Sequence, residues 1–112
     1  MHVRLLLLVG VALSLAPFGA LAADVDKGKV TFDARCAFCH GSEGRGDGPA
    51  GGALKPPPTN FTAPEFWKNN SLDHVKQTIL NGKPGTPMVP FKGTLTAEQV
   101  DDVAAYLETL KK

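Results

Sequence analysis

The chain holds only two cysteines, three positions apart in Cys36-Ala37-Phe38-Cys39-His40. That spacing limits what can support a fold. A bridge between the two would close a tiny loop and tie nothing distant together. Support is nonetheless needed. The first 22 of the 112 residues read as a targeting segment, and the 90 that remain, residues 23–112, make one domain. A domain of that size buries only about 60–65% of the surface its unfolded chain exposes. Whatever the CAFCH stretch holds is therefore expected to contribute to the core.

The targeting segment has one arginine, Arg4, then a leucine-rich run, then a break at Pro17 and Gly19. Ala20-Leu21-Ala22 follows as an A-x-A cleavage pattern, predicting a mature start at Ala23. The competing reading is an uncleaved membrane anchor, because the nineteen residues from Leu5 to Ala23 carry no charge. Pro17 and the small residues favour cleavage. Both readings export the folded part, so a periplasmic protein is expected, with no membrane association after cleavage. Of twelve basic residues only Arg4 leaves with the segment, so eleven face eleven acidic ones. That balance gives no case for nucleic-acid binding or a polybasic membrane patch.

Helical patterns dominate the mature chain, and no strand signal competes, so the expected fold class is all-α. A first helix is predicted over Val25–Arg35, capped by Asp24 or Asp26, with Val25, Gly28, Phe32 and Cys36 near one face. Six glycines and four prolines between Gly41 and Thr62 exclude regular structure there. Loops so long in a compact domain are functional or disordered. A short turn of helix follows at Pro64–Asn69, with Pro64 in first position. The next helix covers Leu72–Asn81, with Ser71 as N-cap, Leu72, Val75 and Ile79 as its stripe, and Gly82 as the stop. His74 lies off that stripe and reads as a solvated histidine. In the last helix Thr96 and Gln99 form a capping box, stapled by Leu95 and Val100. Val100, Val103, Ala104, Leu107 and Leu110 follow helical period, with Asp101, Asp102 and Glu108 expected toward water.

Four chemistries use a pair of thiols followed by histidine: a disulfide, a redox-active dithiol, half of a zinc site, or an anchor for covalent haem. Structural zinc takes four ligands, and the mature chain adds only a distant His74. A thioredoxin-type dithiol belongs at a strand-to-helix turn, and this pair follows a helix. Residues three apart on one helical turn point the same way. Two thiols so placed can reach the two vinyl groups along one side of a porphyrin, and C-x-x-C-H is the attachment signature of c-type haem. His40 can then reach the iron. Met88, the only methionine left after signal removal, stands in Gly85-Thr86-Pro87-Met88-Val89-Pro90. Methionine is most often a core filler, but the flanking prolines keep this one in an extended loop. A pinned loop presenting one thioether suits a second axial ligand, and Met/His coordination raises the haem potential.

CAFCHG, the loop GDGPAGGALKPPPTNF, the GTPMVPF segment and the closing LTAEQVDDVAAYL together resemble the class I c-type cytochromes, small monohaem electron carriers. The resemblance covers Val25 to Leu110. It implies an all-helical fold around one covalently attached haem c, held by Cys36, Cys39, His40 and Met88, with His40 and Met88 as ligands to the iron. It implies that the first and last helices cross, Gly28 and Phe32 meeting Leu107 or Tyr106. It implies that a proline carbonyl among Pro56, Pro57 and Pro58, or less readily Pro49, accepts a hydrogen bond from the ligand imidazole. It also offers Trp67 as a propionate partner, against plain core packing. The expected function is that of a monomeric electron carrier between redox partner proteins rather than an enzyme. Two alternatives stand beside it: a cytochrome subunit of a larger redox complex, and a haem enzyme or gas sensor with an open sixth position.

Overall fold

The computed structural model describes residues 7–12 and 22–112. The targeting segment assigned to residues 1–22 lies outside the described residues, apart from 7–12 and Ala22. Among the described residues the chain forms five α-helices: α1 (Val25–Arg35), α2 (Ala37–His40), α3 (Pro64–Asn69), α4 (Leu72–Asn81) and α5 (Ala97–Thr109). Among the described residues, β-type pairing is limited to an isolated bridge between Lys92 and Leu95.

Local chemistry sets the helix ends. Asp24 accepts from the Lys27 N–H at 3.0 Å, and Ser71 from that of His74 at 3.1 Å. Thr96 and Gln99 make both bonds of the capping box, at 2.9 and 3.1 Å. Each such cap satisfies an amide that has no partner inside its helix, contributing about 1 kcal/mol. α3 has no side-chain cap because its N-cap is Ala63, and Pro64 in first position sacrifices no helical hydrogen bond by lacking an N–H. The Gly/Pro segment departs from expectation in one detail. Gly51–Ala53 forms a single 3-10 turn, a geometry short enough for a chain that cannot sustain an α-helix.

The core lies where α1 crosses α5 and α4 closes beside them. Phe32, Val75, Ile79, Val100, Val103, Ala104, Tyr106 and Leu107 are all buried. Phe32 meets Tyr106 with ring centroids 5.3 Å apart and planes tilted by 56°. Gly28 makes this approach possible. A Cβ there would overlap the Asp102 carbonyl oxygen and come within 3.0 Å of the Tyr106 Cβ. The cost of glycine in a helix, about 1 kcal/mol, is offset by helices in near-backbone contact. Of the two crossing partners expected, Tyr106 is the one beside Gly28.

Asp102 corrects the helical-period expectation. It does not face water but is 5% exposed, because α1 lies over it. Its Oδ1 accepts the Asp24 N–H at 2.7 Å, so a carboxylate of α5 satisfies an amide at the start of α1, a charge-assisted bond. Asp101 and Glu108 are exposed as expected. Asp101 pairs with Lys76 of α4 at 3.2 Å, a contact too solvated to stabilise much.

Gly28→Val should lower the unfolding free energy by about 1–3 kcal/mol or more, read as a shift in urea midpoint. Val30→Ala, at a position 70% exposed on the same helix, should stay within about 0.5 kcal/mol. Equal midpoints for the two variants would contradict the close crossing.

Candidate functional site

α1 delivers the chain to the CAFCH stretch and stops there. The Cys36 N–H still donates to the Phe32 carbonyl at 2.8 Å, but Cys36 itself leaves helical geometry at φ −121° and ψ −33°. α2 then begins, with the Cys39 and His40 amides both donating to the Cys36 carbonyl, at 3.2 and 2.9 Å. One turn thus carries both thiols and the imidazole on adjoining positions.

The end of that turn is held by the glycine-rich loop. Ala50, Gly48 and Gly46 donate their N–H groups to the carbonyls of Phe38, Cys39 and His40, at 2.9, 3.1 and 2.7 Å. These are the carbonyls a helix C-terminus leaves without partners. Gly48 sits so close that a Cβ would lie 2.5 Å from the Ala37 and Phe38 oxygens and 2.7 Å from the Cys39 carbonyl carbon. Gly48 therefore acts by close backbone packing, and the three bonds clamp the loop to the turn.

His40 is oriented from two sides. Its Nδ1–H donates to the Thr59 carbonyl at 3.1 Å, and a carbonyl can only accept, so Nε2 carries the free lone pair. The Phe61 ring stacks on the imidazole at 4.8 Å and 32°. Burial lowers the pKa of His40 below the ordinary histidine range, against the opposing pull of the Thr59 bond, which favours the neutral, ligating form. The acceptor is thus Thr59 and none of Pro56, Pro57 or Pro58. The proline run instead lines the cleft wall and sets the reach of the residue that follows it. Trp67 takes the core-packing alternative. Its indole N–H donates to the Phe61 carbonyl at 2.7 Å, so it braces the residue stacked on His40 and is not available to a propionate.

Met88 stands opposite, in a segment tied to the end of α4. Phe91 and Lys92 donate backbone N–H groups to Ile79 and Leu80 at 2.9 and 3.0 Å, and Lys83 donates to the Met88 carbonyl at 3.1 Å. The Thr86 hydroxyl donates to the Lys83 carbonyl at 2.7 Å and accepts the Met88 N–H at 3.2 Å. The loop is pinned at its base and at the methionine itself.

Two adjoining cavities of about 170 and 190 Å³ share His40, Thr59, Lys83 and Met88. The first adds Cys36, Cys39, Leu54 and the proline run. The second adds Phe61, Phe66, Val75, Ile79 and Leu107. The structure therefore brings all four sequence-predicted residues to one mostly apolar cleft. His74 is exposed as expected, and its side chain also borders the second cavity. Sequence reasoning missed Thr59 and Phe61. Phe61 carried a faint signal, as one of only two large apolar side chains in the Gly41–Thr62 window, with Leu54.

The chemistry of the thiols narrows the possibilities. A nucleophilic C-x-x-C dithiol lowers a cysteine pKa. Here burial, and secondarily the neighbouring Cys39, pushes the Cys36 thiol up to about 11. The donors fit a haem instead: two half-buried free thiols, one neutral imidazole with an open Nε2 and one thioether on a single apolar cleft.

Comparison with known proteins agrees. The cytochrome c family profile matches residues 25–111. Cytochrome c-554(547) of Halothiobacillus neapolitanus is 33% identical over 92 residues, which cover 80% of this chain and all of that protein. Cytochrome c6 of a Nostoc species is 38% identical over 104 residues, covering 91% of this chain and 86% of that one. Among solved structures, a chain of the Kuenenia stuttgartiensis reducing HAO-like protein complex Kustc0457/Kustc0458 aligns with a TM-score of 0.69 and 28% identity, over 80% of this chain and 44% of that one. The KustC0563 c-type cytochrome aligns at 0.60 with 26% identity, over 76% and 98%. With its helical fold, its C-x-x-C-H turn and these relatives, the chain belongs to the cytochrome c family as a small class I c-type cytochrome, a family defined by covalently bound haem c.

Proposed function

We propose that this protein is an exported one-electron carrier whose haem is anchored by Cys36 and Cys39 and ligated by His40 and Met88. The observation that carries the reading is the convergence of two thiols, an imidazole with a free Nε2 and a pinned thioether on one apolar cleft. When bound, haem c supplies a one-electron iron couple. Cys36 and Cys39 would hold the haem covalently through their sulfurs, and the free thiols of one helical turn are available for that. The Thr59 carbonyl holds the His40 ring in its ligating tautomer and raises its basicity. The Met88 thioether, a soft donor, favours the reduced metal. Apolar walls around the cleft exclude water, and His40 and Met88 are held from separate backbone anchors. Such a frame suits a cycle in which both ligands stay bound while the charge changes. Cleavage after Ala22 would release the domain into the periplasm, where covalent attachment takes place.

A second reading has one observation in its favour. The alignment with a chain of a reducing HAO-like complex, of which this chain covers 44%, suits a role as a cytochrome module in a larger redox assembly. Isolation as a stable monomer supports the carrier, and co-purification in a fixed stoichiometric complex supports the module.

Met88→Ala should retain covalent haem, bind carbon monoxide in the reduced state and show a lower reduction potential by voltammetry. An unchanged potential together with no gain of carbon monoxide binding would refute Met88 as ligand. Cys36→Ala and Cys39→Ala should each impair attachment, read as haem lost to acid–acetone extraction. Thr86→Val removes both hydroxyl bonds of the Met88 loop and should weaken it locally by about 1–3 kcal/mol. Faster amide exchange at Met88 would show this, with Thr86→Ser close to the parent.

A further inference from the structure

Asp102 is the one charged side chain that is buried among the described residues. A carboxylate has about four acceptor sites. Among the described residues this one fills a single site, taking the Asp24 N–H on Oδ1 at 2.7 Å. No described lysine, arginine or histidine pairs with it. A buried carboxylate so thinly partnered is costly unless a positive charge joins it. The neighbouring side chains do not supply one. Within a turn of the junction stand Asp24, Asp26 and Lys27 on α1, with Glu98, Asp101 and Tyr106 on α5. Lys27 is exposed, and the α4 cation Lys76 is already held by Asp101 at 3.2 Å.

The backbone can supply it. Successive backbone nitrogens are at most about 3.7 Å apart, so the Ala23 nitrogen stands within about 6.4 Å of Asp102 Oδ1. Rotation about the Ala23 Cα–C bond alone changes that separation. In the unprocessed chain this nitrogen is a neutral amide. Cleavage after Ala22 adds water across the peptide bond: the C–N bond breaks, hydroxyl joins the Ala22 carbonyl carbon and hydrogen joins the Ala23 nitrogen. The new carboxyl then loses its proton and the new amine gains one, so an ammonium stands at Ala23 at neutral pH. Ala22 and Ala23 are exposed and precede α1, so the bond is reachable while α1 lies on α5. The helix dipole ordinarily disfavours a cation at a helix N-terminus. Here Asp24 as cap, Asp26 in the first turn and Asp102 set three carboxylates at that end of α1.

We infer that Asp102 is the binding site for the α-ammonium group that processing creates at Ala23, and that this pair fastens α1 to α5 in the cleaved protein alone. A retained leader leaves no charge at Ala23, and a start one residue earlier moves the amine away by about the length of a residue. The choice of cleavage bond thereby sets how firmly the helix that carries the CAFCH turn is held. The inference rests on the reading of Ala22–Ala23 as the cleavage bond and adds its consequence for the fold.

The test uses the exported holoprotein, carrying carbon-13 in its alanines. Intact mass reports where the chain starts, with residues 23–112 plus one haem expected. The Ala23 Cα resonance, followed against pH, reports the amine, which should titrate near about 9 instead of the free α-amino value of about 7.7–8.0. That difference is about a tenfold tighter hold on the proton. A form with one extra alanine ahead of Ala23 should titrate at the free value and unfold at lower urea. Because the paired amine binds its proton more tightly when folded, the gap between the two midpoints should be full below about pH 7.7 and close above about pH 9. In Asp102→Asn both starts should titrate alike and unfold at the same urea concentration. Should that variant not fold, the parent titration still decides. An amine at the free value in the protein starting at Ala23 would overturn the inference and leave export and electron carriage intact. An extension penalty as large in Asp102→Asn as in the parent would overturn it equally. A mass showing a retained leader or another start would remove the cleavage reading, and the pair with it.

Discussion

The near-backbone contact of α1 with α5 at Gly28 is the constraint on which the remaining structure depends. α1 buries only Gly28 and Phe32, so its place is fixed by one narrow stripe. The aromatic contact of Phe32 with Tyr106 and the Asp102 bond to Asp24 secure that stripe at both ends. The C-terminus of α1 is also where the CAFCH turn starts. Any slippage of α1 along α5 would carry the thiols and His40 with it. The helix that frames the functional turn and the helix that supplies Leu107 to the second cavity are therefore locked at a single crossing.

Around that frame the polar backbone is satisfied away from the cleft. The glycine-rich loop spends its amides on the carbonyls of the attachment turn, and the Met88 loop spends its own on α4 and Lys83. Trp67 and Thr59 use their polar atoms to position Phe61 and His40. The cleft is left with apolar walls and a few donor atoms suited to a soft, planar, metal-bearing group. That arrangement accounts for a domain of this size having a core split by cavities. The group it accommodates completes the core and carries the chemistry, so stability and function depend on the same contacts.

Elements governed by local chemistry were legible in the sequence. The capping box at Thr96, the Ser71 cap, Pro64 in first position and the limits of α1 and α4 each follow from residues within a few positions of one another. The four proposed haem-binding residues were legible for a different reason. Their types are rare in this chain, with two cysteines and two methionines in all, so the constellation had few ways to form. Asp102 was misread, Thr59 was missed and Trp67 was left open between two roles, because each depends on what lies across the fold. Helical period turned Asp102 outward and gave no sign that α1 would cover it. The expected proline carbonyl proved to be one residue further on, a distinction set by how the rigid run approaches the imidazole.

The central claim is that the Met88 thioether sits on the haem iron opposite His40. It is tested most directly by one-dimensional NMR of reduced holoprotein carrying carbon-13 in its methionine methyl groups. Met88 is the only methionine besides Met1, so the processed protein gives a single resonance. A methyl group above the centre of a porphyrin lies in its shielding ring current. The account predicts that resonance far upfield of the ordinary methyl range. A methyl resonance in the ordinary range would place Met88 away from the iron and contradict the account.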